Sequence, residues 1–503
     1  TDGYTGNGVI IAITDSGLDI DHEDLAANVV SNGSYDWCNS DADPSPSSSG
    51  GDHGTSVAGL SASVGWNAKG GRGVAPGASL KGFNVLCGSI STANFLRSLG
   101  ASSWSQSQDV DIFNESWGWN RAYDSLINTS YEAAWLGGVT NLRSGKGALY
   151  VKSTGNGFTS YSVNCASIWG SRNNGEHSCQ STNHDPDQTI PYQIGVAALT
   201  ATGVATSYST GGSGVWVAGA GGEHGRSASG GKPAMMTTDL AGCSAGYVKS
   251  GTSGNNPFNN QGNHSENSSC NYTSTFNGTS SAAPVVSGGI ALILEANSAL
   301  TWRDVKHILA STSDQVHSDI SAISENNYAG QSMVIEPAWL TNAAGYKFHN
   351  WYGFGRMNVG AAVAAAKSMT ANNLGTFTTS SWQDSGTLNT TITGNHAAGI
   401  TNAMSVSGAN FIEAVQIKVN IAVACSGAIQ LELTSPSGTK SVLKNAFDGF
   451  GGTANLTNWV LLSNTFYGES KAGNWTLKVI DGYQTGGCTA GTLQNWSIRF
   501  FGH

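Results

Sequence analysis

The chain has 503 residues, more than one hydrophobic core usually supports, so we expect one large domain and at least one smaller one. Only 11% of the residues are charged, against about 25% in a typical domain, and 67 are glycine, so Ser, Thr, Asn and Gly must supply much of the surface. Lys and Arg (23) are outnumbered by Asp and Glu (33) and form no cluster, which argues against nucleic acid or an anionic membrane as the main partner.

The first half of the chain alternates short apolar, β-branched runs with runs of helical periodicity. Strands are predicted over 8–14, 79–86, 111–116 and 148–153, and helices over 54–63, 92–100 and 125–136. This alternation is typical of an α/β fold in which helices cover both faces of a parallel sheet.

The next segment continues the pattern. Further strands are predicted over 193–199 and 215–221, whereas 222–275, rich in Gly, Ser and Asn, is expected to form surface loops. One helix is predicted from Ser280 and another after Thr301, which is suited to be its N-cap.

No membrane-spanning segment is expected. The longest apolar run, 290–294, is too short to cross a bilayer. No signal peptide is recognisable either, so any targeting segment is expected to have been removed already.

The character of the sequence changes near residue 370, where a polar stretch without periodicity begins. Apolar residues then alternate with polar ones over 413–423, 428–438, 474–482 and 495–502. This pattern predicts an all-β module, a sandwich or jelly roll. We therefore expect a first domain over 1–370 and a second over 371–503.

The cysteines are even in number and include no CxxC pair, which favours disulfides over zinc. They are Cys38, Cys87, Cys165, Cys179, Cys243, Cys270, Cys425 and Cys488. If Cys425 and Cys488 sit in a separate domain, parity makes them partners, and for the other six we expect pairing in sequence order. The alternative is buried free thiols.

Three motifs fall where strands of an open α/β sheet end, which is where such folds bind ligands. "ITDSG" places Asp15 at the end of the first strand, "DHGTSVAG" places His53 at a helix start, and "NGTSSAAP" places Ser280 at another. A lone serine at a helix start is usually a cap. With an imidazole to take its proton and a carboxylate to orient that imidazole, it becomes a nucleophile.

Two more motifs fit the same chemistry. "KSTGNGF" places Asn156 after a strand, where its amide and the Ser280 N–H can stabilise an oxyanion; the alternative is an Asn suited to a left-handed turn. "NESWG" offers Ser116, Trp117 and Gly118 as an exposed edge to which an extended peptide can add by main-chain hydrogen bonds.

The motifs together resemble the subtilisin-family serine proteases, specifically the kexin and furin branch. In family order the chain contains "GYTGNGV", "DSGLDIDHEDL", "HGTSVAG", "SWG", "TGNG", "GTSSAAP" and "LTWRDVKHIL". Beyond residue 375, "LELTSPSGTKSVL", "AGNWTLKVID" and "GTLQNWSIRFFG" resemble the P domain of that branch. The resemblance implies a subtilisin-like α/β domain followed by a jelly-roll-like β domain, with Asp15, His53 and Ser280 as catalytic triad and Asn156 as oxyanion donor.

The resemblance also implies Ca²⁺. Asp36, Asp41 and Asp43 lie within one loop, and carboxylates that close repel one another unless a cation lies between them; an ordinary solvated loop is the alternative. Kexin-type proteases carry a calcium site on a matching trio. A second family site corresponds to the following set: Asp24, the Asn67 side chain and the carbonyls of Val64, Lys69 and Gly71. A third is expected to be missing, because Arg121 and Thr210 stand where the family has acids.

Specificity follows from the same comparison. Asp187 matches the acid of the family's first substrate pocket, and Asp185 is the alternative match. Ser16 stands where the family has the acid of the second pocket. Arg121 or Asn120 stands where the family has a second, supporting acid in the first pocket. We therefore expect cleavage after a single Lys or Arg without a strict dibasic requirement. The alternatives are a broad subtilase that cuts after apolar residues, or a non-catalytic adhesion or binding protein on a protease fold.

The resemblance and the composition together describe the setting. We expect a secreted, bacterial endopeptidase that acts on polypeptides through an acyl-enzyme, behaves as a monomer and folds with the help of a propeptide or chaperone.

Overall fold

The computed structural model describes residues 3–46, 52–88, 90–101, 104–118, 129–159, 164–173, 175–226, 231–249, 256–260, 262–408, 410–450 and 455–503. In this part of the chain, seven parallel strands form one sheet in the order β2-β3-β1-β4-β5-β6-β7. The strands are β1 (Ile10–Asp15), β2 (Tyr35–Asp36), β3 (Ser79–Asn84), β4 (Ile112–Glu115), β5 (Leu149–Ser153), β6 (Gln193–Leu199) and β7 (Val215–Ala220). They are almost wholly buried, as expected of a sheet covered on both faces.

Helices of the first domain lie between and after these strands. They are α1 (Asp52–Ala62), α2 (Thr92–Ser98), α3 (Ser105–Gln108), α4 (Thr129–Asn141), α5 (Cys165–Trp169), α6 (Thr279–Ala296), α7 (Trp302–Thr312) and α8 (Val359–Ser368). Thr301 caps α7 as predicted, in a reciprocal capping box with Asp304. The α/β prediction is thereby confirmed.

The central helix α6 is longer than its apolar core run suggests. By length and composition it could cross a membrane, but 78% of it is buried inside the protein, which identifies it as a core helix. Pro284, the sixth residue of α6, has no N–H to donate to the Ser280 carbonyl, which accepts instead from Ser116 Oγ at 2.9 Å.

The prediction of surface loops over 222–275 was wrong in part. This segment contains β8 (Met235–Thr238) and β9 (Tyr272–Phe276), which pair antiparallel. Thr237 and Thr238 are buried because their hydroxyls donate to carbonyls of α1. The polar composition concealed these strands, since their side chains satisfy helix carbonyls rather than an apolar core.

Beyond residue 370 the regular elements of the described chain are strands and one short 3₁₀ helix, as predicted for an all-β module, and two small hairpins precede this module. These are β10 (Ile323–Asn326) with β11 (Ser332–Glu336) and β12 (Leu340–Thr341) with β13 (Lys347–Phe348). Two antiparallel sheets follow. The six-stranded sheet consists of β14 (Thr378–Thr379), β15 (Gln383–Asp384), β16 (Thr390–Thr391), β18 (Ile412–Ala422), β21 (Leu456–Ser463) and β23 (Thr492–Gly502). The four-stranded sheet consists of β17 (Ile400–Val406), β19 (Ile429–Thr434), β20 (Lys440–Lys444) and β22 (Gly473–Asp481). A buried apolar core that includes Trp459, Trp475 and Trp496 joins strands of both sheets.

All eight cysteines lie in the described part and form four disulfides. The pairs are Cys38–Cys87, Cys165–Cys179, Cys243–Cys270 and Cys425–Cys488. Pairing in sequence order is therefore confirmed, and free thiols are excluded.

Candidate active site

Asp15 and His53 meet where β1 ends and α1 begins. The His53 Nδ1 lies 2.8 Å from Asp15 Oδ1, and the Asp15 carboxylate is fully buried while 27% of the His53 side chain is exposed. Since a carboxylate only accepts, Nδ1–H donates to Asp15 and leaves Nε2 free to accept a proton. Ser16 N–H also donates to Asp15 Oδ1, at 2.7 Å, which holds the carboxylate in place.

The pKa of His53 is raised above its ordinary value. Burial by itself lowers it, but the charge and hydrogen bond of Asp15, with a further contribution from Asp52, outweigh that effect. The imidazole is thus tuned to hold a proton more readily than a solvated histidine.

Ser280 is the second residue of α6, not its cap. The N-cap is Gly278, whose φ of 100° suits glycine and which makes no side-chain capping bond. Ser280 Oγ donates to the Ser116 carbonyl at 3.1 Å. Ser280 and His53 line the same cavity.

The amide of Asn156 is oriented by its neighbour at the start of α6. Its Oδ1 accepts from Thr279 N–H at 2.9 Å and from Thr279 Oγ1 at 3.1 Å. The opposite end of the amide, Nδ2, is thereby left for the cavity that Asn156 lines. The left-handed turn alternative does not apply, because Asn156 is not among the residues of positive φ.

These groups surround a cavity of about 250 Å³. Its lining comprises His53, Leu86, Ser116, Trp117, Gly118, Ser153, Gly155, Asn156, Gln180, Thr279 and Ser280. Sequence reasoning missed Leu86 and Gln180, since neither belongs to a motif of reactive residues. Leu86 lies two residues after β3 and is 45% exposed, which only the structure reveals.

The candidate specificity acids lie in and beside a short 3₁₀ helix, Pro186–Thr189. Both Asp185 and Asp187 are buried. Asp187 is not among the lining residues of the cavity. Burial of Tyr131 raises the pKa of that phenol, and the negative charge of Asp187 raises it further. Asp185 lies closer to the cavity, since a Cβ built on Gly118 would be 3.0 Å from Asp185 Oδ2.

Ser16 and Thr210, which stand where the family has acids, each accept a main-chain hydrogen bond. Ser16 Oγ accepts from Gly54 N–H at 3.2 Å, and Thr210 Oγ1 accepts from Gly157 N–H at 2.9 Å. Asn120 and Arg121 lie outside the described residues.

The carboxylates of the Asp36 loop do not converge. Asp36 accepts from the N–H groups of Cys38 and Asn39 and from the amides of Asn39 and Asn84, while Asp41 and Asp43 each accept a local main-chain N–H. Within the described ranges, no group of three or more His, Cys, Asp or Glu side chains is placed to hold a metal. Protein donors thus engage both oxygens of Asp36 but only one oxygen each of Asp41 and Asp43.

The second set of candidate calcium ligands is different. Asp24 is fully buried, its Oδ1 accepts from Asn67 Nδ2 at 2.6 Å, and its Oδ2 makes no close hydrogen bond, although the Gly71 N–H helps to stabilise the carboxylate. Asp24 also ties to the loop through its carbonyl, which accepts from Val64 N–H. A buried carboxylate oxygen without a close donor is an observation that a bound cation would explain.

Comparison with known proteins places this geometry in a family. The subtilase family model matches residues 6–355, and the proprotein convertase P-domain model matches residues 412–500. The chain is 33% identical to the extracellular serine protease of Aeromonas sobria over 551 residues, covering 100% of this chain and 85% of that protein. It is 29% identical to furin-like protease 2 of Drosophila melanogaster over 516 residues, which is 99% of this chain but only 26% of that protein.

A solved structure agrees with the sequence comparison. The Aeromonas sobria serine protease, in complex with a chaperone (ORF2), superposes with a TM-score of 0.90 at 30% identity, over 99% of this chain and 88% of that one. With a subtilisin-like sheet, a following domain of antiparallel strands and both family models matched in order, the chain belongs to the subtilase family of serine proteases and carries a proprotein convertase P-domain.

Proposed function

We propose that this subtilase is a secreted endopeptidase in which Ser280 is the nucleophile, His53 the general base and Asp15 the residue that orients His53. The observation that carries the proposal is the short Asp15–His53 contact in a cavity that Ser280 also lines. His53 Nε2 takes the Ser280 proton as Oγ attacks the peptide carbonyl and then returns it to the leaving amine, giving an acyl-enzyme. Water then attacks the acyl-enzyme as His53 Nε2 takes a proton from it, and His53 returns that proton to Ser280 Oγ when the acid product leaves.

The oxyanion of each tetrahedral intermediate is stabilised by two donors. Asn156 Nδ2 is one, because Thr279 holds the other end of that amide. The Ser280 main-chain N–H, at the positive end of α6, is the second. Removing one such donor costs roughly 10²–10³ in kcat in related chemistry.

A fluorophosphonate probe tests the catalytic assignment directly. The folded protein should be labelled at Ser280, and His53→Ala should slow labelling strongly while leaving the melting temperature near that of the wild type. Absence of labelling in folded wild-type protein would overturn the endopeptidase proposal and favour a binding protein on a protease fold.

The substrate preference proposed is for Lys or Arg before the scissile bond, without a dibasic requirement. Both candidate acids are buried, and Asp185 is supported better than Asp187 because Asp185 Oδ2 lies beside Gly118, which lines the cavity. The two Asp185 oxygens accept from Asp187 N–H and Gln188 Nε2, and Lys152 Nζ lies beside the same glycine. A carboxylate there gives a charge-assisted contact to a guanidinium or ammonium. Ser16, in place of an acid, removes the reason for a second basic residue.

Peptides that differ only at the residue before the cut test this preference. Arg should be cleaved faster than Phe, Asp185→Asn should reduce that ratio about tenfold, and Asp187→Asn should reduce it less. Faster cleavage after Phe than after Arg, or an unchanged ratio in both variants, would leave the broad-specificity alternative.

The structural role of Ca²⁺ is proposed for the second ligand set only. This set is Asp24, the Asn67 side chain and the carbonyls of Val64, Lys69 and Gly71. It is favoured by the Asp24 oxygen that makes no close hydrogen bond, although Asn67 Oδ1 accepts from Lys69 N–H. In the other set both Asp36 oxygens and one oxygen each of Asp41 and Asp43 accept from protein donors. An ion there would fasten the loop after α1 to the segment around Asp24, and a ligand that binds only the folded state stabilises it.

Chelation with EDTA should lower the melting temperature of the wild type but not of Asp24→Asn. Asp41→Asn is the matched control and should keep the full response to EDTA. An unchanged wild-type melting temperature under exhaustive chelation would contradict the calcium proposal, and loss of the response in Asp41→Asn alone would transfer it to the Asp36 loop.

Secretion is supported by the extracellular protease of Aeromonas sobria, which matches the whole of this chain. The solved complex of that protease with a chaperone (ORF2) supports a similar requirement here. The yield of fluorophosphonate-reactive protein, with and without a co-expressed chaperone of that type, measures this requirement.

A further inference from the structure

Lys152 lies behind the wall of the cavity, where no motif marks it. It belongs to β5 and its side chain is fully buried. Its Nζ donates to the main-chain carbonyl of Trp117 and lies 3.6 Å from the centroid of the Trp117 indole. A buried ammonium is costly unless hydrogen bonds and charges compensate for the lost water, so its position calls for a role.

Glu115 is the acidic residue on the neighbouring strand, and its carboxyl interacts electrostatically with Lys152. Glu115 and Lys152 are register partners on the neighbouring parallel strands β4 and β5, so both side chains leave the sheet on the same face. Glu115 is also fully buried and accepts from Trp135 Nε1 at 3.0 Å. Burial raises the pKa of Glu115 to about 7, and the charge of Lys152 opposes that rise.

The carbonyl that Lys152 holds belongs to the middle residue of the proposed peptide-binding edge, Ser116–Gly118. The Ser116 carbonyl faces the cavity, because it accepts from Ser280 Oγ. The Trp117 carbonyl points away from Ser280 and accepts from Lys152 and, at 3.4 Å, from Ser153 Oγ. Successive carbonyls thus point in opposite directions, as in a β-strand, which leaves Ser116 and Gly118 to pair with an incoming chain.

We propose that Lys152 is a positioning residue that holds Ser116–Gly118 in the form that pairs with an extended peptide. This inference rests on the proposed function and deepens it. Lys152 acts on the binding of the residues that precede the scissile bond, through Trp117, and not on the chemistry at Ser280. Its loss should therefore affect long substrates and spare small reagents.

Two substrates with the same residue before the cut, a single-residue ester and a tetrapeptide, separate these effects. In the wild type the tetrapeptide has the higher kcat/KM, because it uses the edge. In Lys152→Met the ratio of tetrapeptide to ester should fall about tenfold, mainly through KM, since one hydrogen bond to a charged group is lost. Fluorophosphonate labelling of Ser280 should stay within about threefold of the wild type.

Lys306 offers a matched control. It is also a buried lysine whose Nζ donates to main-chain carbonyls, those of Pro191 and Gln193, and it lies 3.9 Å from the Trp216 ring centroid. Lys306 does not line the cavity. Lys306→Met should lower stability without changing the tetrapeptide-to-ester ratio, so a general loss of stability is distinguished from a loss of positioning.

A second variant covers the case in which Lys152→Met does not fold because Glu115 is left unpaired. Glu115→Gln with Lys152→Met removes both charges, which proteins often tolerate, and the ratio should still fall. An unchanged ratio in a folded Lys152 variant would overturn the positioning role while leaving the endopeptidase proposal intact. Absence of labelling in the wild type would overturn both.

Discussion

His53 responds to more than one charge, which makes the activity profile against pH informative. Besides Asp15, the first residue of α1, Asp52, contributes to the raised pKa of His53. A general base must be neutral, so activity is lost as pH falls through the pKa of His53.

Asp52→Asn should therefore move the acidic limb of kcat/KM to lower pH, by roughly 0.5 unit, because the imidazolium loses one stabilising charge. Asp109→Asn is the control, since Asp109 is 54% exposed and pairs with Lys81. The measurement is kcat/KM for one peptide between pH 5 and 9. A shift to higher pH in Asp52→Asn would contradict this account of His53.

At this scale the sequence predicted the meeting of Asp15, His53 and Ser280 because each ends or begins an element at one sheet edge. It did not reveal Lys152, Glu115 or the orientation of Asn156 by Thr279. Those contacts depend on which strands become neighbours, and a charged residue inside an apolar strand, such as Lys152 in "ALYVKS", is the one local signal of them.

Among the elements, α7 is fastened to β18 by an ion pair between the two halves of the chain. Arg303 donates through Nε and Nη2 to Glu413, at 2.9 and 2.5 Å, and both side chains are largely buried. Burial alone would raise the pKa of Glu413, but His503 and Arg303 outweigh it and lower that pKa. Glu413 is thus held as a carboxylate.

Arg303→Met should lower the free energy of unfolding by about 3 kcal/mol, the lower end for breaking a buried pair, because Glu413 then keeps His503, at 2.9 Å, as its remaining ionic partner. Adding Glu413→Gln should recover much of that loss. Urea denaturation of the wild type, the single variant and the double variant at one pH measures both effects. If the double variant were as unstable as the single one, the unpaired charge would not be the cause.

The predictability of elements depended on how each one buries its side chains. β1 and β6 are continuous apolar runs, and their bounds were predicted to within about two residues. The start of α7 was predicted from its N-cap, Thr301. β8 and β9 escaped because they bury threonines against α1, and β14–β16 escaped because they are two-residue, exposed edge pairings to β23. Periodicity detects continuous apolar faces, and of these strands only β9 contributes to the core, through Phe276.

On the scale of the whole molecule, the P domain does not stand apart from the protease. One continuous apolar cluster contains both Ile290 of α6 and Ala414, Leu462 and Phe501 of the second half. Asn183 Nδ2 donates to the carbonyls of Leu443 and Leu462 across the same boundary.

Truncation after residue 370 should therefore prevent folding or lower the melting temperature by several degrees. The truncated chain exposes apolar surface and leaves buried polar groups such as Asn183 unpaired. Differential scanning calorimetry of soluble protein, compared with the full chain, is the measurement. An active truncated chain of equal melting temperature would show that the shared cluster contributes nothing to stability.

The same boundary contains a buried acid that links stability to pH. Glu336, in β11, is 2% exposed and accepts from Asn445 Nδ2 at 2.6 Å and from Asn350 Nδ2 at 3.3 Å. Burial raises its pKa from 4.5 to about 7, with the two amides opposing the rise. Between those two values the folded chain holds a proton that the unfolded chain has released, so this residue's contribution to stability declines as pH rises from 4.5 and levels off above 7.

Glu336→Gln mimics the protonated acid and cannot ionise. Near pH 4.5 its free energy of unfolding should be close to that of the wild type, and at pH 8 it should exceed the wild-type value by up to about 3 kcal/mol. Urea denaturation at both pH values measures the difference, with Glu266→Gln, at an exposed position, as the control. A wild type more stable than Glu336→Gln at pH 8 would mean that the amides of Asn350 and Asn445 hold a charged carboxylate there, since two donors would then outweigh the cost of burying it.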